Sequence, residues 1–152
     1  MKKASIITAI IAAVALAPGF GAADAGHGAA IGKPGDPKKV TRTIAIAGSD
    51  TMRYSPSEIN VKRGETVRLV VKNSGKLDHE LVLGSLKALK EHAELMRKHP
   101  EMEHDEPHMA YVRPGETREI VWQFARAGTV QFACTVPGHL EAGMVGKFKV
   151  GT

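Results

Sequence analysis

The sequence predicts an all-β fold, a Greek-key β-sandwich with one inserted helix. Two observations support this prediction. From Val40 onward, short apolar and β-branched runs alternate with turn residues, as the strands of a sandwich do. One segment that begins near Ser85 instead repeats its apolar residues with the period of a helix.

The strands are predicted from the alternation of apolar and polar residues, which places one face of a strand in the core and the other in water. The clearest alternating runs are Val67, Leu69 and Val71; Ile120, Trp122 and Phe124; and Val130, Phe132 and Cys134. We therefore expect strands at residues 41–47, 57–62, 66–73, 79–83, 109–113, 117–125, 129–134 and 146–150.

The inserted helix interrupts the sheet between two of these strands. Ser85 can cap its N-terminus, and Pro100 stops it. Four apolar residues recur on one face of this helix: Leu86, Leu89, Ala93 and Met96. An acidic loop that carries His and Met residues follows, so that the whole insertion covers residues 85–109.

The N-terminus has the pattern of a secretory signal peptide. Lys2 and Lys3 precede an uncharged apolar run from Ser5 to Ala17, and residues 23–25 offer a small-residue cleavage site. A retained membrane anchor is the alternative, but the run is shorter than the roughly 20 residues that span a bilayer. We expect residues 1–25 to be removed, which exports the protein and leaves no membrane attachment. Residues 26–39, rich in Gly, Pro and charge, are expected to form a flexible leader before a single domain at 40–152.

Charge and cysteine content narrow the functional classes. The formal net charge of the 152-residue chain is +5, but Lys and Arg are interleaved with Glu, which argues against a nucleic-acid partner. The single cysteine cannot form an internal disulfide. In an oxidising compartment, Cys134 is therefore buried, paired with another chain, or a metal ligand.

The segment from Cys134 to Met144 concentrates soft and borderline metal donors. Cys134 ends a strand, the Pro137-Gly138 pair turns the chain, and His139 and Met144 follow on the same loop. A thiolate, an imidazole and a weak axial thioether suit copper in both of its oxidation states.

A second imidazole is needed to complete such a site, and His79 at the start of a predicted strand is the candidate. The alternative for each residue is structural. Cys134 would be a small buried apolar residue, Met144 part of the core and His139 a surface loop residue. The combination of all three on one Pro-Gly loop favours copper.

At these residues the sequence resembles the cupredoxins, the blue copper proteins, over residues 40–151. The matching motif is C-x4-H-x4-M with an upstream His. The resemblance implies a cupredoxin-like sandwich with one type 1 copper, in which His79, Cys134 and His139 are the strong trigonal ligands and Met144 is the weak axial ligand. The chain departs from many members at Glu80, where they carry Asn directly after the first ligand.

The insertion resembles that of the periplasmic copper-tolerance cupredoxins and implies a periplasmic location. It holds His and Met residues that suit Cu(I), and a second copper site is expected to draw on His92, Met96, Met102, His104 and His108. The alternative is that Met96 packs the helix face and that several of the His and Met residues simply lie on a polar loop.

Three functions compete. The first is a monomeric periplasmic protein that binds copper, cycles it by one electron and contributes to copper tolerance. The second is a soluble electron shuttle between a partner protein and an oxidase or reductase. The third is a copper oxidase, which needs further His-x-His pairs that the sequence lacks. A binuclear copper centre needs two thiolates, and the chain has one cysteine. Nucleophilic catalysis by Cys134 would require an open cleft and a base, whereas a thiol at a strand end that faces two imidazoles is better arranged for a metal, so we expect no enzyme.

Overall fold

The computed structural model describes residues 31–102 and 106–152, which form two packed five-stranded sheets. The predicted all-β sandwich is confirmed. The elements, in chain order, are β1 (Lys33–Pro34), a 3-10 turn (Pro37–Lys39), β2 (Arg42–Ser49), β3 (Arg53–Ser55), β4 (Glu58–Lys62), β5 (Thr66–Asn73), β6 (His79–Gly84), α1 (Leu86–Lys98), β7 (Met109–Val112), β8 (Thr117–Gln123), β9 (Gly128–Ala133) and β10 (Val145–Gly151).

The strand order shows repeated crossing between the sheets. One sheet has the order β1-β8-β5-β2-β3 and the other β4-β10-β9-β6-β7. The pairs β2 with β5 and β4 with β10 are parallel, and the other pairs are antiparallel. Because parallel neighbours cannot be joined by a tight hairpin, these strands are connected through the opposite sheet.

The core lies between the sheets and is built from the inward faces of the alternating strands. Its largest fully buried aromatic residues are Trp122, Phe124, Phe132 and Phe148. The Phe132 and Phe148 rings pack with centroids 5.1 Å apart and planes tilted by 50°, a separation within the range that aromatic pairs favour. Cys134 and Met144 belong to the same apolar cluster, so one end of the core is lined by sulfur atoms.

Helix α1 packs on the outer face of the second sheet. The Ser85 hydroxyl accepts a hydrogen bond from the Ala88 N–H at 3.2 Å, as the sequence predicted for the N-cap. Leu89, Ala93 and Met96 are buried. Leu86, which we placed on the same face, is 46% exposed because it lies in the first turn, before the helix meets the sheet.

The expectation of a flexible leader is corrected for residues 31–39. β1 pairs with β8, Ile31 is buried, and the Trp122 indole N–H donates to the Ile31 carbonyl oxygen at 3.4 Å. An added Cβ on Gly32 would lie 2.3 Å from the Gln123 carbonyl oxygen, so this close approach requires glycine.

The expected signal peptide at 1–25 and residues 26–30 lie outside the described part of the chain. Within the described part, no helix is long and apolar enough to cross a membrane.

Candidate metal centre

Two neighbouring strands of the second sheet bring His79 and Cys134 together. His79 is the first residue of β6, and Cys134 directly follows β9. The strands pair antiparallel with Val82 opposite Ala133, a register that places Cys134 beside the beginning of β6. The main-chain N–H of Glu80 donates a hydrogen bond to the Cys134 sulfur at 3.2 Å. The thiol is therefore fixed by backbone geometry.

The loop after Cys134 folds back on itself. The Cys134 N–H donates to the Met144 carbonyl oxygen, and the Met144 N–H donates to the His139 carbonyl oxygen, both at 3.0 Å. Gly138 and Gly143 adopt positive φ angles of 87° and 90°, which glycine accepts at little cost. The loop thus returns both His139 and Met144 to the end of β9.

Three potential ligands converge within the sandwich. The ligand atoms of His79, Cys134 and His139 all lie within 4.8 Å of one another, and all three residues are buried. The Cys134 Sγ to His139 Nδ1 distance is 3.2 Å, and the two imidazole centroids are 5.1 Å apart. No other group of three or more His, Cys, Asp or Glu residues with this spacing occurs among the residues that the structure describes.

Met144 lies next to this trio. Its side chain is fully buried, and a Cβ added to Gly48 would lie 3.0 Å from the Met144 Cε and 3.7 Å from the His79 Cβ. Gly48 on β2 therefore leaves room for Met144 and His79 on one side of the site. The four residues that the motif singled out occupy one end of the sandwich.

Copper fits the donors that are present. His79 Nδ1 is buried and has no hydrogen-bond partner among the described residues, which is costly unless a metal uses its lone pair. Burial raises the pKa of the Cys134 thiol to about 12 and, together with the nearby His79, lowers the pKa of His139. A bound cation offsets the cost of burying the Cys134 thiolate because its positive charge stabilises the deprotonated form. A thiolate with two imidazoles is a donor set suited to copper.

Glu80 links the centre to the inserted helix. This residue is 2% exposed, and its carboxylate accepts a hydrogen bond from the Thr135 hydroxyl. The same carboxylate lies 3.9 Å from Nε2 of His92 on α1, while the Glu80 carbonyl oxygen accepts a hydrogen bond from the Tyr54 hydroxyl. The departure from Asn at this position therefore brings a buried acidic group beside the centre.

The contact between Asp50 and His79 was not predicted from the sequence. The Asp50 Oδ1 accepts a hydrogen bond from His79 Nε2 at 3.1 Å. Asp50 belongs to the turn between β2 and β3 and has no metal motif around it, so no local pattern indicated this role. Only the pairing of β2 with β5 and the fold of the following loop bring it to His79.

The five residues expected to form a second copper site lie in different settings. Met96 is buried in the helix packing, and Met102 is 36% exposed. His92 and His108 both line a cavity of about 340 Å³ beside α1, together with Glu91 and Glu106. His104 lies outside the described residues. The packing alternative fits Met96, whereas the two histidines share a cavity that is lined mostly by apolar residues.

The sandwich and its Cys-His-His cluster define a class, the type 1 copper proteins. The model of the copper-binding plastocyanin/azurin family matches residues 40–151, and the chain belongs to this cupredoxin family. Copper is thus its cofactor.

Relatives within this family carry a more specific name. The chain is 46% identical over 164 residues to the copper-resistant cuproprotein CopI of Rubrivivax gelatinosus, covering 99% of both chains. It is 36% identical to the CopI protein of Pseudomonas aeruginosa, covering 86% of this chain and 90% of that one. The auracyanin of Roseiflexus castenholzii superposes with a TM-score of 0.64 at 24% identity, covering 74% of this chain and 99% of that chain, which shows the shared fold.

Proposed function

We propose that this protein is a periplasmic type 1 copper protein that cycles its copper by one electron and contributes to copper tolerance. His79, Cys134 and His139 are the strong ligands, and Met144 is the weak axial ligand. The convergence of a buried thiol and two imidazoles at one end of the sandwich carries the proposal. The similarity to proteins named for copper resistance supports the biological role, and the N-terminal export pattern supports the location.

The rigid strand ends and loop that hold the proposed ligands support redox cycling. When bound, copper supplies the one-electron change between Cu(I) and Cu(II). The strand ends and the hydrogen-bonded loop fix the donors, so the protein has little reorganisation to undergo between the two states. His139 is 9% exposed and Cys134 and Met144 are fully buried, so an electron exchanged with a partner has its shortest route past the His139 ring.

The axial role of Met144 is tested by voltammetry of the copper-loaded protein. Met144→Gln should keep copper bound and lower the reduction potential, because a harder oxygen donor favours Cu(II). Leu95→Gln introduces the same amide side chain at an exposed position that supplies no ligand to either proposed site and should leave the potential unchanged. Equal reduction potentials for Met144→Gln and the parent protein would show that Met144 is a core residue and not a copper ligand.

We further propose that the insertion holds a second copper as Cu(I), drawing on His92, Met96, Met102, His104 and His108. The shared cavity of His92 and His108 supports these two as imidazole donors of the site. Mixed imidazole and thioether donors suit Cu(I). A second ion bound here would favour a role in copper tolerance, because a simple electron shuttle does not require it.

Cu(I) titration under anaerobic conditions decides between tolerance and shuttling. The parent protein should bind more than one equivalent of Cu(I), whereas the visible band of the Cu(II) form should saturate at one. Changing Met102 and His104 together to Ala, or His92 and His108 together to Ala, should remove the extra equivalent and leave the visible band intact. His99→Ala is the control. It removes an imidazole at the end of the same helix, and this imidazole is not part of the proposed site. A stoichiometry of one in the parent would favour the electron shuttle.

A further inference from the structure

Asp50 contacts the copper centre from outside the ligand loop. Its Oδ1 lies 3.1 Å from His79 Nε2. An ionised carboxylate can only accept hydrogen bonds, so the imidazole must be the donor through Nε2. The same histidine has its Nδ1 buried without a hydrogen-bond partner among the described residues. Asp50 therefore selects the tautomer in which Nδ1 keeps a free lone pair, and a ring nitrogen of His79 lies within 4.8 Å of the ligand atoms of Cys134 and His139.

The chain holds the Asp50 carboxylate in a fixed orientation. Its Oδ2 accepts the Lys76 N–H at 2.7 Å, and its Oδ1 also accepts the Leu77 N–H at 3.2 Å. A Cβ added to Gly75 would lie 1.9 Å from Asp50 Oδ1, so glycine is needed where the loop wraps the carboxylate. The Gly75 N–H in turn donates to Asn73 Oδ1 at 2.8 Å. The loop from β5 to His79 is thus built around this acidic group.

A second anchor ties this loop to the strand that borders Met144. The main-chain N–H and the hydroxyl of Ser74 both donate to the Gly48 carbonyl oxygen, at 2.9 and 2.8 Å. Gly48 lies two residues before Asp50 and beside the Met144 methyl group. A single stretch of chain from Gly48 to Asp50 therefore contacts the surroundings of two ligands.

We propose that Asp50 is a positioning residue of the copper centre, which fixes the tautomer of His79 and strengthens its imidazole as a donor to Cu(II). A carboxylate that accepts the distal N–H of a ligating histidine raises the basicity of the ring. The stronger donor favours the dipositive ion over Cu(I), so Asp50 lowers the reduction potential and tightens the binding of Cu(II). This inference rests on the proposed type 1 centre, in which His79 is a ligand.

The first test uses the metal-free parent protein and needs no variant. Nitrogen-15 NMR of the histidine rings reports which ring nitrogen carries the proton. We expect His79 to be protonated at Nε2 and unprotonated at Nδ1. A His79 ring protonated at Nδ1 would overturn the proposal, whether or not the protein later proves to form a type 1 centre.

The second test compares Asp50→Asn with Asp78→Asn. Both remove one negative charge near His79, but only the first replaces the group that accepts its N–H. Asp50→Asn should weaken Cu(II) binding by about 10- to 100-fold and raise the reduction potential. Each tenfold loss in the ratio of Cu(II) to Cu(I) affinity corresponds to about 59 mV. Asp78→Asn should show only a small fraction of either change.

Melting curves of the metal-free variants separate tuning from misfolding. If Asp50→Asn unfolds the loop, Asp50→Glu keeps the charge and serves as the second variant, with a potential between those of the parent and Asp50→Asn. Equal potentials and equal Cu(II) affinities for Asp50→Asn and Asp78→Asn would overturn the proposal. Absence of the visible copper band from the parent protein would instead refute the type 1 centre, and the ring NMR would still decide the role of Asp50.

Discussion

Gly48 shows how a single residue on a neighbouring strand limits the shape of the copper site. A Cβ at this position would lie 3.0 Å from the Met144 Cε, 3.6 Å from the Tyr54 Cε1 and 3.7 Å from the His79 Cβ. The first of these contacts is tighter than ordinary packing, and Met144 is the flexible partner. Gly48 therefore determines how far the thioether can reach into the site.

Gly48→Ala should displace Met144 and raise the reduction potential, because a weaker axial contact favours Cu(I). We expect an overpacking cost of about 1–3 kcal/mol in the free energy of unfolding, measured by denaturant titration. Gly151→Ala is the matched control, since its added Cβ would lie 3.8 Å from the Val61 carbonyl oxygen, an ordinary contact. A Gly48→Ala protein with the same reduction potential as the parent would show that packing at position 48 does not affect the copper site.

At the scale of elements, helix α1 joins the fold through a small apolar cluster on the outer face of the second sheet. This cluster comprises Val82, Leu89, Met109 and Ala133, with Leu140 of the ligand loop packed against it. Ala133 and Leu140 are close in the chain to Cys134 and His139. The insertion therefore supports the ligand loop from outside, in addition to the contact between His92 and Glu80.

Leu89→Ala and Leu86→Ala form a matched pair on this helix. Leu89 is 1% exposed and Leu86 is 46% exposed. Leu89→Ala should lower the free energy of unfolding by about 2–5 kcal/mol, whereas Leu86→Ala should change it by less than about 0.5 kcal/mol. Both values follow from chemical denaturation of the metal-free protein. Similar losses for the two variants would mean that α1 is not anchored through Leu89.

The elements that the sequence predicted are those with local signals. The helix has a capping Ser85, a periodic apolar face and a terminating Pro100, and it spans Leu86–Lys98 as expected. The strands with clear alternation were also predicted to within a few residues. β1 and β3 have two and three residues, and their pairing depends on β8 and β2, so their own sequences carry no pattern.

The features of the site likewise differ in whether neighbouring residues in the sequence could predict them. Cys134, His139 and Met144 share one loop, so their spacing was sufficient to select them, and His79 followed from its place at a strand start. The contacts of Asp50 with His79 and of Glu80 with Thr135 join residues far apart in the chain. They depend on strand register and loop geometry, which spacing alone does not encode.

At the scale of the whole molecule, the sandwich brings together the four proposed copper ligands, which the unfolded chain cannot assemble. His79 comes from β6, whereas Cys134, His139 and Met144 come from the end of β9 and the loop that follows it. The sheets hold these positions through the shared core, in which Cys134 and Met144 are fully buried. We propose that this arrangement is one type 1 copper centre with Cys134 as its thiolate ligand.

Titration of the metal-free protein with Cu(II), followed by visible absorption, tests for this centre. An intense thiolate-to-copper band should grow in proportion to added copper, saturate at one equivalent and be absent from Cys134→Ser, because a serine hydroxyl does not supply the same covalent donor. Folding of the metal-free variant is checked by circular dichroism. A parent protein that binds copper without this band, or a Cys134→Ser variant that retains it, would show that Cys134 is not the thiolate ligand of a type 1 centre.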